Sequence, residues 1–153
     1  MILIDFTQTI IAGLMAQLKM NDGDVSEDML RHMILNSVRN YQKKYAGKYG
    51  EITLCTDAAH PWRRDYYPLY KAGRKKTREA SDLDWKMLFD TLQKVKDEIR
   101  DNFKYRYMYV ENCEADDIIA VLTKKAKEPV LIISGDKDFQ QLHKYDDVKQ
   151  WSP

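Results

Sequence analysis

Seven acidic residues stand where apolar stretches of the chain end or begin, and they are the first chemical signal in the sequence. They are Asp5, Asp57, Glu114, Asp116, Asp117, Asp136 and Asp138. Carboxylate oxygens without His or Cys partners are the ligands of hard cations, so the pattern indicates Mg²⁺, with Mn²⁺ as a substitute. So many carboxylates suit two ions about 4 Å apart, a pair that activates water and stabilises the leaving oxygen in phosphoryl transfer. The predicted substrate is therefore a phosphate ester.

Each acid also has an ordinary structural interpretation. Asp116 and Asp117 suit the start of a helix, at about 0.3–1 kcal/mol each, and Asp136 and Asp138 suit a turn after a strand. These interpretations are favoured for single residues but not for the whole set. Two carboxylates about 4 Å apart repel by roughly 4 kcal/mol at an effective dielectric of 20, in a domain stable by only about 5–15 kcal/mol. A cluster of this kind predicts a compensating cation.

A basic segment, residues 62–79, follows Asp57 closely. It carries seven Lys or Arg against two acids, with aromatic residues between them. Cations for phosphates and aromatic rings for bases are typical of single-strand nucleic-acid binding. The alternative is a solvated charged loop, but the segment is long for a strand-to-helix connection, and long loops tend to be functional or mobile.

The apolar patterns that must position these residues alternate between two periods. Strands are predicted at 1–6, 51–57, 105–112, 129–136 and 148–151. Helices are predicted at 26–46, 82–100 and 114–127, with Ser26 as an N-cap and Ser81 and Asp84 as a capping pair. The alternation predicts an α/β fold with a mostly parallel central sheet and helices on both faces. Ligands of such sheets bind beyond the carboxyl ends of the strands, where the acids converge.

The bulk composition is that of one ordinary soluble domain. The net charge is +1 and indicates no partner by itself. No apolar run is long enough to span a membrane, and no signal peptide precedes the first strand. Two cysteines and three scattered histidines make neither a disulfide framework nor a zinc site. A reducing cytoplasm is the expected location.

Four stretches together resemble the 5′ nuclease, or flap endonuclease, superfamily, and within it the ribonuclease H branch of the T-even phages. They are LIDF, CTDAAHPWRRDYYPLYKAGR, EADDIIAVL and LIISGDKDFQQLHKYDDVKQWSP, and they cover essentially the whole chain in order. The resemblance implies a PIN-like 5′ nuclease core with a basic helical arch. It also implies a two-metal, Mg²⁺-dependent 5′-3′ exonuclease and flap endonuclease that removes RNA primers and 5′ flaps in phage DNA replication, in the cytoplasm of the infected host. The expected substrates are DNA and RNA–DNA hybrids with 5′ ends or flaps.

The resemblance also assigns roles to individual residues. The seven acids match the family's metal ligands. Asp57, Glu114, Asp116, Asp117 and Asp136 mainly serve the first ion, and Asp136 and Asp138 reach toward the second. Lys71 and Arg74 match the basic pair that contacts the scissile phosphate, so that the implied catalytic set is Lys71, Arg74, Asp116 and Asp136. The implied nucleic-acid contacts are Arg63, Arg64, Tyr70, Lys71, Arg74, Lys75, Lys76 and Arg78.

The chain departs from the family pattern at its carboxyl end. The family continues past KQWSP into a half that carries further aspartates in a GDxxDN motif and a helix-three-turn-helix element that grips duplex DNA with a potassium ion. Residues 1–153 are therefore expected to form the amino-terminal nuclease domain alone, with the first metal site nearly complete. A separate carboxy-terminal half is an expected partner.

Two other functions stay open at this point. A catalytically weak or inactive fragment would bind metal and single-stranded nucleic acid without cutting. An acid-rich phosphatase or phosphotransferase is suggested by SGDKD, but the first strand is followed by DFTQT and not by a D-x-D-x-T nucleophile motif.

Overall fold

The computed structural model describes residues 1–18, 26–81 and 83–153. Its strands are β1 (Ile2–Asp5), β2 (Ile52–Thr56), β3 (Arg106–Tyr109), β4 (Val130–Ile133) and β5 (Val148–Trp151). They form one sheet in the order β3-β2-β1-β4-β5, and every pairing is parallel. The predicted parallel sheet is confirmed, although β1, β2, β3 and β4 are each shorter than the range predicted for them.

Burial of the strands follows their position in the sheet. All residues of β1, β2 and β4 are buried, whereas β3 and β5 at the two edges contain only exposed and half-buried positions. Continuous apolar runs such as ILID and VLII are typical of parallel strands covered on both faces. The apolar pattern of the sequence therefore distinguishes the three inner strands from the two edge strands.

The three predicted helices account for only half of the six α-helices in the described residues. They are α1 (Phe6–Leu18), α2 (Glu27–Tyr49), α3 (Arg63–Tyr66), α4 (Gly73–Glu79), α5 (Trp85–Asn102) and α6 (Ala115–Lys125), with a 3-10 helix at Lys137–Lys144. Ser26 caps α2 as predicted, by accepting from Met29 N. The predicted start of α5 at 82 is wrong, because Asp84 is its N-cap. Asp82 itself lies outside the described residues.

The helices cover both faces of the sheet, as predicted. One apolar layer joins α1, α2 and α5 to Ile2, Ile4 and Leu54 of the central strands. The other joins α6 and the 3-10 helix to Leu3 and Ile132. Within the described ranges, no helix is long and apolar enough to cross a membrane.

The strand order creates a switch point beside β1. The chain runs outward from β1 to β2 and β3, and then returns to place β4 on the other side of β1. Connections on either side of such a point diverge and leave a crevice at the carboxyl ends of the strands. Asp5 ends β1 at this crevice, paired in register with Cys55 of β2.

Cys55 is buried, Cys113 is half-buried, and both are free thiols.

Candidate metal and phosphate site

Four aspartates line one cavity at the carboxyl edge of the sheet. Its volume is about 930 Å³, and its acidic wall consists of Asp5, Asp57, Asp116 and Asp136. Asp5 ends β1, Asp57 directly follows β2, Asp116 lies in the first turn of α6, and Asp136 lies just beyond β4. Parallel strands and a helix N-terminus thus bring together acids that are far apart in the sequence.

Local hydrogen bonds hold two of these carboxylates in place. Asp5 is buried, and its Oδ2 accepts from Ser134 Oγ at 3.1 Å. Asp57 Oδ1 accepts from the backbone N–H of Ala115 at 2.9 Å, which ties the end of β2 to the start of α6. Each bond engages one oxygen of its carboxylate and leaves lone pairs for other ligands.

The acidic wall is electrostatically strained. Burial raises the pKa of Asp5 from 3.8 to about 7, and the charges of Asp57 and Asp116 add to the effect. Burial also raises the pKa of Asp116 to about 6; Lys71 opposes this change, while Asp136, Asp57 and Glu114 reinforce it. Desolvation and like charges both disfavour ionised carboxylates, so the wall has too little positive charge facing it.

The donor set fits a hard divalent cation by its chemistry. The wall offers carboxylate oxygens, which Mg²⁺ and Mn²⁺ prefer, and their repulsion is what a cation relieves. In the parts of the chain that the structure describes, however, no group of three or more acidic, His or Cys residues is arranged closely enough to hold an ion.

Two of the seven predicted acids are directed at basic side chains. Glu114 Oε1 accepts from Lys71 Nζ at 2.7 Å, and its Oε2 accepts from Arg63 and from the Tyr70 hydroxyl at 3.0 and 2.9 Å. Asp117 accepts from Arg63, from the indole N–H of Trp62 and from the backbone N–H of Glu114. Glu114 and Asp117 also form a capping box at the start of α6. Both carboxylates are therefore neutralised within the protein.

Asp138 stands apart from the other acids. Its side chain is exposed and is not part of the cavity wall. Its backbone N–H donates to Asp136 Oδ1 at 2.9 Å, where Asp136 caps the 3-10 helix. This contact agrees with the structural interpretation of Asp136 and Asp138 as residues of a turn that follows a strand.

The basic segment folds as α3, a turn and α4, and it covers the cavity. Lys71, Arg74 and Arg78 line the cavity together with the acids, so this part of the segment lies beside the acidic edge. Arg64 and Lys76 are exposed, and the side chain of Lys75 lies outside the described part of the chain. Arg63 points inward to Asp117 and Glu114.

Lys71 adopts a backbone conformation that is rare for its residue type. Its φ is +55°, in the left-handed region that costs a non-glycine residue about 1 kcal/mol or more. The contact between Lys71 Nζ and Glu114 helps to compensate this cost. Residues held in such conformations are concentrated at functional sites.

Lys96 is a cavity residue that the sequence patterns missed. It lies on α5 and lines the same cavity, and its Nζ donates to Thr7 Oγ1 at 3.3 Å. Burial lowers its pKa, while Asp57 and Asp97 oppose the change. The available signal was its position four residues after Leu92, which places it on the apolar side of α5.

A doubly wound parallel sheet, with carboxylates at its switch point and a basic segment above them, defines a PIN-like, resolvase-like domain. Residues 1–152 match the family described as the 5′-3′ exonuclease, N-terminal resolvase-like domain. The chain belongs to that family.

Individual relatives agree with the family assignment. The chain is 43% identical to the ribonuclease H of Enterobacteria phage T4 over 157 residues, covering 99% of this chain and 51% of that protein. It is 38% identical to the flap endonuclease Xni of Shewanella oneidensis over 93 residues, covering 59% and 32%.

A solved structure shows the same fold. The T5 D15 protein, co-crystallised with metal ions, matches with a TM-score of 0.73 at 18% identity, covering 99% of this chain and 53% of that one. The chain thus spans about half the length of the T4 and T5 proteins.

Proposed function

We propose that this chain is the amino-terminal metal-binding domain of a 5′-3′ exonuclease and flap endonuclease of the ribonuclease H type. Its substrates are DNA and RNA–DNA hybrids with 5′ ends or flaps, from which it removes RNA primers and flaps during DNA replication. The observation that carries the proposal is a single cavity lined by four aspartates and by Lys71 and Arg74. Carboxylates for Mg²⁺ and cations for a phosphate are the two halves of a phosphodiesterase site.

The roles of the cavity residues follow from their chemistry. Asp5, Asp57, Asp116 and Asp136 would hold Mg²⁺, with two ions in the complete enzyme. Bound Mg²⁺ supplies an activated water and stabilises the leaving oxygen. Lys71 and Arg74 bind the non-bridging oxygens of the phosphate and orient it over the carboxylates. Lys71 is held at Glu114 until a phosphate offers it a second anion.

The remainder of the basic segment holds the nucleic-acid strand. Arg64 and Lys76 present their charges to solvent, and Tyr66 and Tyr67 are 84% and 58% exposed. Exposed rings beside cations bind single strands by stacking and charge, with little dependence on sequence. Binding to this surface should therefore weaken steeply with salt.

The test is cleavage of a 5′-flap or an RNA–DNA substrate with Mg²⁺. The wild-type chain is expected to release short 5′ products, and Asp136→Asn should abolish them. Asp146→Asn is the matched control, because Asp146 is exposed and outside the cavity wall. Product formation that persists in both Asp136→Asn and EDTA would contradict the proposal.

A second candidate function is binding without efficient cleavage. It is favoured by the pairing of Glu114 and Asp117 with basic residues. In this case a carboxy-terminal half, supplied as a separate chain, is the partner that completes the second metal site and the duplex clamp. Recovery of cleavage on adding the carboxy-terminal half of the T4 relative distinguishes a split enzyme from a binding fragment.

For either function, the location that we propose is the cytoplasm of a phage-infected bacterium.

A further inference from the structure

The cavity has an aromatic wall that neither metal nor phosphate binding requires. Trp85 and Phe89 lie one turn apart on α5, with ring centroids 5.8 Å apart and planes inclined by 28°. Both rings are half-buried, and both line the cavity that holds the four aspartates. A site for ions and phosphate oxygens alone gains nothing from this surface, whereas a site for a whole nucleotide does.

Arg78 covers the aromatic wall with its guanidinium group. Its Cζ lies 4.7 Å from the ring centroid of Phe89 and 5.4 Å from that of Trp85. The guanidinium therefore rests against the rings. A guanidinium held against aromatic rings provides a flat, cationic surface on which a base can stack in turn.

A hydrogen bond fixes the orientation of the platform. Trp85 Nε1 donates to Ser81 Oγ at 2.7 Å, which satisfies the indole N–H and holds the ring on the first turn of α5. Phe89 packs partly against the core beneath. The rings are thus set before any ligand arrives, so little side-chain entropy is lost on binding.

We propose that Arg78, Phe89 and Trp85 form a stacking platform for one unpaired nucleobase, next to the phosphate that lies at the aspartates. The proposal rests on the proposed function. It also gives Arg78 a role other than phosphate contact, because the flat guanidinium group of Arg78 would stack on the base in addition to supplying a positive charge. Because every base has a flat face, the platform selects for an unpaired nucleotide and not for a particular sequence.

The experiment measures binding separately from cleavage. Oligonucleotides with a single-stranded 5′ overhang carry 2-aminopurine, or an abasic unit, at successive positions near the junction. Affinity is measured with Ca²⁺ in place of Mg²⁺, so that binding is read without turnover. We expect quenching of 2-aminopurine at one position, and about tenfold weaker binding when that same position is abasic, within the range of base–aromatic stacking.

Variants then assign the effect to the platform. Phe89→Leu keeps an apolar side chain, and Arg78→Lys keeps the charge without the plane. Each should reduce the tenfold difference between normal and abasic strands to less than about threefold. Phe103→Leu is the control, because Phe103 stacks on Tyr105 and does not line the cavity. Thermal melting confirms folding, and Arg78→Lys, whose side chain is only half-buried, keeps the test decisive if Phe89→Leu fails to fold.

The outcomes separate this proposal from the proposed function. Wild-type protein that binds normal and abasic strands equally overturns the platform, even if Mg²⁺-dependent cleavage is observed. Retention of the tenfold difference in both variants overturns it as well. A base-dependent affinity that the variants lose supports the platform, even if the isolated chain does not cut.

Discussion

Both terminal nitrogens of Arg63 donate hydrogen bonds to Asp117, at 2.8 Å to one carboxylate oxygen and 2.9 Å to the other. The pair joins the basic segment to the first turn of α6. Burial alone would raise the pKa of Asp117, but the bonds from Arg63 and Glu114 N lower it below its ordinary value. Asp117 is thus a stable anion with its partners already in place.

Asp117→Asn tests whether this residue positions helix α6 or binds metal. We expect the free energy of unfolding to fall by about 1–3 kcal/mol, because the half-buried Arg63 loses its bidentate partner and keeps only Glu114. Affinity for Mn²⁺, measured by calorimetric titration, should fall by no more than about tenfold, because Asp117 supports the turn that carries Asp116 and is not itself a ligand. Asp116→Asn is the comparison and should weaken Mn²⁺ binding strongly. Equal losses of affinity in the two variants would show that Asp117 is a ligand.

Arg63→Met should lower stability by a similar amount. The double variant Arg63→Met with Asp117→Asn should cost less than the sum of the two single changes, because each removes the same interaction. Denaturant melts of all four proteins measure the coupling. Strictly additive losses would mean that the two residues act independently.

Lys71→Met should separate phosphate binding from metal binding. Loss of the ammonium group is expected to slow cleavage by about tenfold or more, since the phosphate loses a charge-assisted hydrogen bond. Mn²⁺ affinity should be kept or rise slightly, because Glu114 is released from its ion pair. Lys43→Met, on the exposed side of α2 and outside the cavity wall, is the matched control. A loss of Mn²⁺ affinity in Lys71→Met would assign Lys71 to a different role.

The raised pKa of Asp5 predicts how stability depends on pH. The folded protein holds this proton up to about pH 7, whereas the unfolded chain releases it near pH 3.8. The folded state therefore binds more protons between these values, and the metal-free protein loses stability as the pH rises through them, by roughly 4 kcal/mol from this group. Asp5→Asn should reduce this loss and melt at a higher temperature than wild type at pH 8.

Metal ions should reverse the effect of pH. Mg²⁺ binds the ionised carboxylates, so the increase in melting temperature that it produces should grow between about pH 6 and pH 8. Asp5→Asn should show a smaller increase at every pH. A wild-type protein whose metal-dependent increase is the same at both ends of this range would contradict the assignment of these acids as ligands.

The sheet and the approach of four acids were predictable because they depend on local patterns. Apolar runs such as VLII specify buried parallel strands, and parallel strands must end at one edge. Helix α1 was not predicted. It begins at Phe6, immediately after β1. Its start signal is Asp5, a favoured N-cap residue that accepts from the Gln8 backbone, but the apolar run before Asp5 indicates only the end of a strand.

The pairing of Arg63 and Lys71 with Glu114 and Asp117 was beyond the sequence patterns. The partners are 43 to 54 residues apart, and no periodicity indicates which cation of the basic segment turns inward. The aromatic wall could not be predicted for a similar reason, since Trp85 and Phe89 are indistinguishable in sequence from core residues of an amphipathic helix. Both features depend on how the basic segment meets α5 and α6.

The two thiols of the chain differ in burial. Burial raises the pKa of Cys55 to about 12, with Asp5 and Asp57 adding to the effect, so this thiol resists alkylation. Cys113 is half-buried, directly precedes Glu114, and its carbonyl accepts from Ala58 N. A maleimide dye should therefore label the unmodified chain at one position only, beside the acids and the start of the basic segment. The native sequence thus carries its own attachment point for a fluorescent reporter of metal and strand binding, with no engineered cysteine.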